Sequence, residues 1–186
     1  GTNNQMEAVM ITSKGNAVDF GNMTAVMSAC GGLASTTRVI WGGGDVPGDY
    51  SNVIQYAEIA TNSNATDFGD LTVVRGWPTG VSNNTRGVFA GGYTYDGSST
   101  YYNQMDYITI ASTGNATDFG DLVSNMRPAG TSNKTRAIFM GGDTGSASNV
   151  IQYIAIASTS NTTDFGDLTE ARMLGSAVCG SHGGIE

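Results

Sequence analysis

The stretch Asn115-Ala116-Thr117-Asp118-Phe119-Gly120-Asp121-Leu122 occurs in four versions along the chain. An identical copy spans 64–71, a nearly identical copy spans 161–168, and a degenerate copy spans 16–23. The first aspartates of successive copies are 48, 51 and 46 residues apart. A period of this length is typical of proteins built from repeated sheets or solenoid turns. This stretch, the Asp-Phe-Gly motif, therefore sets the period of the whole sequence.

The composition indicates an all-β protein. The 186 residues include 27 glycines but only five leucines, four glutamates and two lysines, so the residues that fill helices are scarce. No window carries a sustained apolar stripe with the 3.6-residue period of a helix. A chain of this length can bury the core of one domain, and we expect a single domain over 1–186.

The charge of the chain argues against two classes of partner. A formal net charge of −8 repels both the phosphate backbone of nucleic acids and anionic lipid surfaces. The six arginines fall at repeated positions instead of forming a basic patch. No run approaches the roughly 18 apolar residues of a membrane-spanning helix. We therefore expect neither nucleic acid nor a membrane as a partner.

Four short strands are predicted in each repeat, separated by residues that favour turns. The first strand begins near Arg75, Arg127 or Arg172. The second is apolar and stops at a double glycine, and the third alternates between apolar and polar residues, which indicates one buried face. The fourth strand carries the Asp-Phe-Gly motif. The double glycines are Gly42-Gly43, Gly91-Gly92 and Gly141-Gly142, and the third strands span 52–60, 103–111 and 149–157.

A double glycine after an apolar strand, followed by an aromatic residue in each of the next two strands, resembles the kelch repeat. The aromatic residues of the third strand are Tyr56, Tyr107 and Tyr153, and those of the fourth are Phe68, Phe119 and Phe165, where the kelch family usually has Trp. The resemblance covers nearly the whole chain. It implies a β-propeller, a ring of blades that each contain four antiparallel strands.

The wording of the Asp-Phe-Gly motif also resembles kelch-like arrays in predicted structural proteins of marine bacteriophages. This resemblance implies a location on the virion surface or outside the cell. It implies a non-enzymatic structural or display module, such as a capsid decoration or a tail or fibre protein, that acts through protein–protein contacts. The implied partners are other virion proteins or further copies of the chain. A glycan-binding adhesin or a host-receptor-binding propeller is the alternative function.

The two ends of the chain carry complementary parts of the repeat. Three repeats are complete, at about 27–71, 75–122 and 127–168, and a fourth can be assembled from 172–186 plus 4–23. We therefore expect about four blades, one of them closed by both termini, with 173–181 pairing near 5–12. Such closure hides two sheet edges at once. A piece of a larger propeller, or half of a ring made by two chains, remains the alternative.

The polar residues of the motif have two interpretations. Aspartates three positions apart, such as Asp118 and Asp121, could offer oxygens to calcium. Turn chemistry is the other interpretation, with carboxylates accepting backbone N–H groups beside a glycine, and the repetition favours it. Six Asn-X-Ser/Thr sequons follow the same period, so we expect turn chemistry for them as well. The arginines are expected to pair with motif carboxylates or with carbonyl groups that link neighbouring repeats.

Residues that could support catalysis are scarce. His182 is the only histidine, and a lone imidazole supplies neither a triad nor a zinc site. The two cysteines, Cys30 and Cys179, occupy non-equivalent places in the repeat, which argues against a disulfide framework. We therefore expect no enzymatic activity, no cofactor and no metal.

The segment after each double glycine is where the repeats differ most. It spans 44–51 in the first repeat, 93–102 in the second and 143–148 in the third. Because scaffold positions must agree between repeats and binding loops need not, we expect the first two to bind a partner. Tyrosine offers contact area with a hydrogen-bonding end, which suits a protein surface or a sugar ring. The predicted binding residues are Tyr93, Tyr95, Tyr101, Tyr102, Tyr50 and Asp96.

Overall fold

The computed structural model describes residues 4–179. Within this range all regular secondary structure is β, with sixteen strands in five antiparallel sheets. The predicted all-β class is therefore confirmed. None of the described residues belongs to a helix that could cross a membrane. Residues 180–186, which include His182, lie outside the described range.

Three of the sheets have four strands each, and two are small. The small sheets pair β1 (Gln5–Ala8) with β2 (Val18–Asn22) and, within the second repeat, β9 (Tyr93–Tyr95) with β10 (Ser99–Tyr101). The first large sheet contains β3 (Gly31–Ala34), β4 (Arg38–Val46), β5 (Asp49–Glu58) and β6 (Thr66–Asp70). The second contains β7 (Thr79–Ser82), β8 (Arg86–Ala90), β11 (Gln104–Thr109) and β12 (Thr117–Asp121). The third contains β13 (Arg127–Ser132), β14 (Arg136–Asp143), β15 (Ser148–Ala155) and β16 (Thr163–Arg172).

Each large sheet is a meander formed by one period of the sequence, with four antiparallel strands as predicted. Several details of the prediction are wrong. The first strand of the second sheet, β7, begins at Thr79 instead of near Arg75, and β4 and β14 continue through their glycines. Arg172 ends β16 instead of starting a strand, because Ser148 pairs with it and extends the last ladder beyond the motif. The double glycine of the first repeat is Gly43-Gly44, whose φ angles of 65° and 123° match the 64° and 126° of Gly91-Gly92.

The Asp-Phe-Gly motif forms a bulge in the fourth strand of each repeat. In the third copy the Asp118 carboxylate accepts the N–H of Gly120, whose φ of 132° is a conformation that glycine adopts without steric cost. The ladder shifts register opposite this turn, between Met105 and Asp106. The same hydrogen bond occurs in the other three copies, at Asp19, Asp67 and Asp164. The predicted turn chemistry of these aspartates is therefore confirmed.

The core lies between the sheets. One cluster joins the first and second sheets, and another joins the second and third. Phe68 belongs to the first cluster and Phe119 to the second, and each meets the tyrosine of the preceding strand edge to face. Such an edge-to-face pair adds about 0.5–1.5 kcal/mol beyond area burial. Phe68 therefore packs between the first and second large sheets, and Phe119 packs between the second and third.

A repeated set of hydrogen bonds, here named the motif latch, also connects neighbouring sheets. The Asn115 side-chain oxygen accepts the N–H of Asp70 at 3.1 Å, and Ala116 N–H donates to the Asp70 carbonyl at 2.8 Å. The same latch joins Asn64 and Ala65 to Asn22, and joins Asn161 and Thr162 to Asp121. The sequons were expected to make local turns, and these three instead bind the preceding repeat.

Arginines reinforce the same junctions. Arg38 donates to the carbonyl of Ile110, just after β11, at 2.8 Å, and Arg86 donates to that of Ile156, just after β15, at 2.9 Å. The prediction that arginines bind carbonyls linking neighbouring repeats is therefore confirmed for Arg38 and Arg86. Pairing with motif carboxylates is wrong for residues 4–179, where the ion-pair partners are Glu58, Asp106, Asp143 and Glu170.

Segments from four places in the chain line one cavity of about 260 Å³. Three are the first strands of the large sheets, and the fourth contains Val178 and Cys179. Ser82 Oγ donates to the Ala34 carbonyl, Ser132 Oγ to that of Ser82, and Cys179 Sγ to that of Ser132. The segment before Cys179 thus continues the series of first strands by one step.

The predicted pairing of 173–181 with 5–12 is not present among the described residues. There, β1 pairs with β2, and 173–179 belongs to no strand. The remainder of that predicted strand, at 180–181, lies outside the described range. Closure by both termini stays a prediction.

Candidate functional site

Two hairpins project beyond the double glycines, and they correct the prediction that these segments are loops. Residues 44–51 are the tip of the β4–β5 hairpin, where Val46 pairs with Asp49. Residues 93–102 form the β9–β10 hairpin, where Tyr95 pairs with Ser99. Both tips turn at a glycine, so two short strand pairs replace irregular loops and hold their side chains in fixed positions.

A cavity of about 580 Å³ opens between the two hairpins. This volume lies within the range of about 300–1,000 Å³ that is usual for ligand sites. We name it the tyrosine–aspartate cleft. It is lined by Asp45, Val46, Gly48, Asp49, Tyr50, Val74, Thr94, Tyr95, Asp96 and Tyr102.

The cleft brings together four of the six predicted binding residues. Tyr50, Tyr95, Tyr102 and Asp96 all line it. Tyr102 is held by a contact of its hydroxyl with the Thr94 hydroxyl at 3.2 Å and by its N–H, which donates to the Gly92 carbonyl. The Tyr95 ring is 58% exposed and is therefore available to a partner.

The other two predicted residues, Tyr93 and Tyr101, surround an arginine. The guanidinium carbon of Arg127 lies 4.9 Å from the Tyr93 ring centre, 5.9 Å from that of Tyr101 and 5.2 Å from that of Trp77. Asp143 forms an ion pair with the same guanidinium and accepts a hydrogen bond from the Tyr101 hydroxyl at 3.1 Å. We name this cluster the Arg127 cage, and it fixes the base of the β9–β10 hairpin.

The environment of the Arg127 cage favours ionised Asp143. Burial opposes ionisation of this carboxyl, but hydrogen bonds from Arg127, the Gly145 N–H and Tyr101, with the positive charge of Arg127, outweigh burial. The pKa of Asp143 is therefore lowered from its ordinary value. The cage therefore holds a cation against an ionised carboxylate, although the Nε atom of Arg127 is buried without a hydrogen-bond partner.

The electrostatics of the cleft are different. The Oδ1 atom of Asp45 is buried and has no hydrogen-bond partner. Burial raises the pKa of the Asp45 carboxyl, and the positive charge of Arg127 only partly opposes this. Burial, followed by the charge of Asp45, also raises the pKa of Tyr50. None of the described residues that line the cleft is basic, and the positive charge that acts on Asp45 and Tyr50 is that of Arg127, outside the lining.

No family model matches the chain, and no curated protein matches it. The kelch resemblance therefore depends on the residues that carry it. No group of three or more His, Cys, Asp or Glu side chains within 4–179 could hold a metal ion. The cleft is the described site in which aromatic rings and carboxylates meet at predicted positions.

Sequence reasoning missed Asp45, Asp49 and the Arg127 cage. Asp45 and Asp143 both follow a double glycine, whereas the second repeat has Tyr93 there. That difference is the available signal, because one repeated position carries a carboxylate in two repeats and an aromatic ring in the other. The partner of Asp143 is Arg127, which lies at the start of β13, and no local pattern predicts that contact.

Proposed function

We propose that the chain is a non-enzymatic recognition module and that its tyrosine–aspartate cleft binds a protein partner. The observation that carries the proposal is that the cleft is formed by the two hairpins that differ most between repeats. The repeated residues are occupied in bulges, latches and sheet-to-sheet contacts. In this proposal the sheets are scaffold, and the hairpins provide specificity.

The biological setting of this proposal is a virus particle. The motif resembles kelch-like arrays of phage structural proteins, so the module would be a structural or display component on the virion surface, such as a capsid decoration or a tail or fibre protein. Its partners would be other virion proteins or further copies of the chain. A rigid all-β scaffold with projecting hairpins suits such a role, because few residues need to be ordered when the partner binds.

The scaffold in this proposal is a four-bladed, kelch-like propeller. Segments from four places in the chain line one cavity, which supports about a quarter turn for each repeat. With a quarter turn, the position one repeat after the third sheet is also the position one repeat before the first sheet. The β1–β2 pair and the segment that contains Val178 and Cys179 would share that position as the fourth blade.

The exposed apolar residues at the two ends support this closure. Phe165 is 52% exposed, although its equivalents Phe68 and Phe119 are buried. Ile11 is 97% exposed, whereas two of its equivalents, Ile110 and Ile156, are buried and the third, Ile59, is 46% exposed. Each end therefore exposes apolar residues of the type that pack between neighbouring sheets, and in the closed ring these two surfaces would cover each other. In the closed ring, Asn16 and Ala17 would form a fourth motif latch with Asp167, and Arg136 would donate to the Ile11 carbonyl.

A glycan-binding or host-receptor-binding role is the second candidate function. It is favoured by the exposed ring of Tyr95 beside the carboxylates of Asp49 and Asp96. Aromatic faces stack on sugar rings, and carboxylates accept hydrogen bonds from sugar hydroxyls. The same cleft would then bind a cell-surface sugar in place of a protein.

The particle role is tested by quantitative mass spectrometry of purified virus particles from the source of the sequence. A fixed copy number in each particle is the expected result, and absence from particles would overturn the assignment. The cleft is tested by the triple variant Y50S/Y95S/Y102S, which should fold but lose attachment, because truncating an aromatic anchor commonly costs about 2 kcal/mol or more. Val123→Ser, an exposed apolar residue outside the cleft, is the matched control.

Two outcomes of the variant experiment separate the candidate functions. Loss of attachment to particles with unchanged binding to a glycan array supports the protein partner. Loss of glycan binding with unchanged incorporation into particles supports the adhesin. Unchanged attachment in both assays would contradict the cleft as the binding site.

A further inference from the structure

The residues of the cleft are of the same types as those that hold arginine elsewhere in this chain. We infer that the tyrosine–aspartate cleft binds a cationic side chain, arginine first and lysine second, that projects from the protein partner. The inference rests on the proposed function as a recognition module. It names the chemistry that the partner must present at its contact point.

Arginine on tyrosine is the recurrent contact of this protein. The guanidinium carbons of Arg38, Arg86 and Arg136 lie 4.4, 4.4 and 4.5 Å from the centres of tyrosine rings in the neighbouring strand. The Arg127 cage adds two tyrosines, a tryptophan and a paired carboxylate. A cation over an aromatic face gains about 0.5–2 kcal/mol, depending on its exposure to water. The cleft repeats the cage's tyrosine and aspartate composition with no arginine among its lining residues.

The carboxylates of the cleft are a second reason for a cationic ligand. Asp45 lines the cleft, although its Oδ1 atom is buried beside Gly76. Asp49 and Asp96 bring two more carboxylates to the same cleft. A guanidinium supplies five N–H donors and a compensating charge together, so it can pair with more than one carboxylate of the cleft.

Other ligand classes fit the cleft less well. Anions such as phosphate or a sialic acid would face three carboxylates and no lining cation. The donors needed for a metal ion do not converge within the described residues. A neutral sugar can donate hydrogen bonds to the carboxylates but leaves their charge uncompensated in a partly desolvated site. The volume of about 580 Å³ has room for a long side chain together with the flanking peptide.

The test is an NMR titration of the folded chain with the peptide acetyl-Gly-Arg-Gly-amide. We expect shifts confined to the amides of 44–51 and 93–102. A peptide with citrulline in place of arginine has nearly the same shape but no charge, and it should bind about tenfold more weakly or worse. A lysine peptide should bind at an intermediate level, because ammonium offers no planar fork. Raising the salt concentration should weaken binding of the arginine peptide and leave binding of the citrulline peptide unchanged.

Variants locate the effect in the cleft. D49N/D96N keeps the side-chain oxygens that accept hydrogen bonds within the hairpin turns but removes two charges. It should weaken binding of the arginine peptide about tenfold. Glu170→Gln removes one charge from an exposed position on β16 and should leave binding unchanged. Heteronuclear spectra of both variants must match the parent outside the substituted sites, which separates loss of binding from loss of folding.

Two results would overturn the inference. One is equal binding of the arginine and citrulline peptides, and the other is a preference for a neutral methyl glycoside over both. If either occurs while Y50S/Y95S/Y102S still loses attachment to particles, the recognition function is supported and the cationic ligand is rejected. If the arginine peptide binds as expected but attachment is unchanged in the triple variant, the cationic ligand is supported and the cleft is rejected as the site of attachment to particles.

Discussion

At the scale of single residues, the second repeat has a buried ion pair at a position where the first and third repeats have an uncharged contact. Arg75 and Asp106 are both 0% exposed, and their side chains meet at 2.7 Å. In the first and third sheets the equivalent contacts are Gln55 to Met27 and Gln152 to Met126, each an amide N–H directed at a thioether sulfur. The same interior place thus accepts a charged pair or a neutral pair of similar size.

The difference between the repeats at this position predicts how mutation of Arg75 and Asp106 changes stability. Asp106→Gln alone leaves Arg75 buried without its carboxylate and should cost about 3–5 kcal/mol of unfolding free energy. The double variant R75M/D106Q recreates the neutral pair of the other sheets and should recover most of that loss. Urea unfolding measures both. A double variant as unstable as the single one would contradict the equivalence of the three contacts.

Asp45 gives a pH prediction of opposite sign to that of a paired carboxylate. Its pKa is raised in the folded state, first by burial, so the folded chain holds its proton more tightly than the unfolded chain does. The stability contributed by this group is therefore present below the ordinary value of 3.8 and is lost as pH rises through the folded pKa. Asp45→Asn should raise the Tm at neutral pH and leave it nearly unchanged in acid. A lower Tm at neutral pH would mean that the charge is stabilising.

At the scale of elements, the Asp-Phe-Gly bulge and the motif latch depend on each other. The glycine of the bulge has no side chain, and the neighbouring repeat occupies that space. A Cβ at Gly120 would lie 2.5 Å from the carbonyl oxygen of Ser160, directly before the latch residue Asn161. The glycine is therefore required for its positive φ and also for the close approach of the next sheet.

Two glycines of similar conformation separate these requirements. Gly120→Ala combines backbone strain with a collision against Ser160 and should cost about 3 kcal/mol or more. Gly114 has a φ of 155° but nothing within 4 Å of its added Cβ, so Gly114→Ala should cost only about 1 kcal/mol. Chemical denaturation of the two variants gives the comparison. Equal losses would show that the neighbouring sheet does not bear on the bulge.

Local chemistry was predictable from the sequence, whereas long-range contacts were predictable only in kind, as for the arginines that bind carbonyls of the neighbouring repeat. The turn at Asp118 follows from an aspartate and a glycine two positions apart, so the repeat alone predicts it. The latch of Asn161 onto Asp121 joins residues 40 positions apart, and nothing in either copy of the motif indicates the direction of that contact. The cleft was predicted in part, because Tyr50 and Tyr95 stand out as aromatic residues in variable segments. Tyr93 looked the same in sequence, and only the position of Arg127 distinguishes it.

At the scale of the whole molecule, the proposed ring makes a prediction about Gly166. The described structure has nothing within 4 Å of a Cβ added there, although its φ of 135° matches that of the other motif glycines. In the closed ring, the first motif copy would cover Gly166 as Asn161 and its neighbours cover Gly120. We therefore expect Gly166→Ala to cost as much as Gly120→Ala, about 3 kcal/mol. A loss as small as that of Gly114→Ala would favour an open array.

In the proposed fold a closed ring is the scaffold that positions both hairpins of the cleft, and hydrogen exchange at two amides tests this ring most directly. In each formed latch one amide donates to the neighbouring repeat and one is capped by an asparagine, as at Ala116 and Asp70. Closure predicts that the amides of Ala17 and Asp167 exchange as slowly as those two, at a rate independent of protein concentration. Exchange at Ala17 and Asp167 as fast as at the exposed hairpin tip around Gly97 would contradict the closed four-repeat ring.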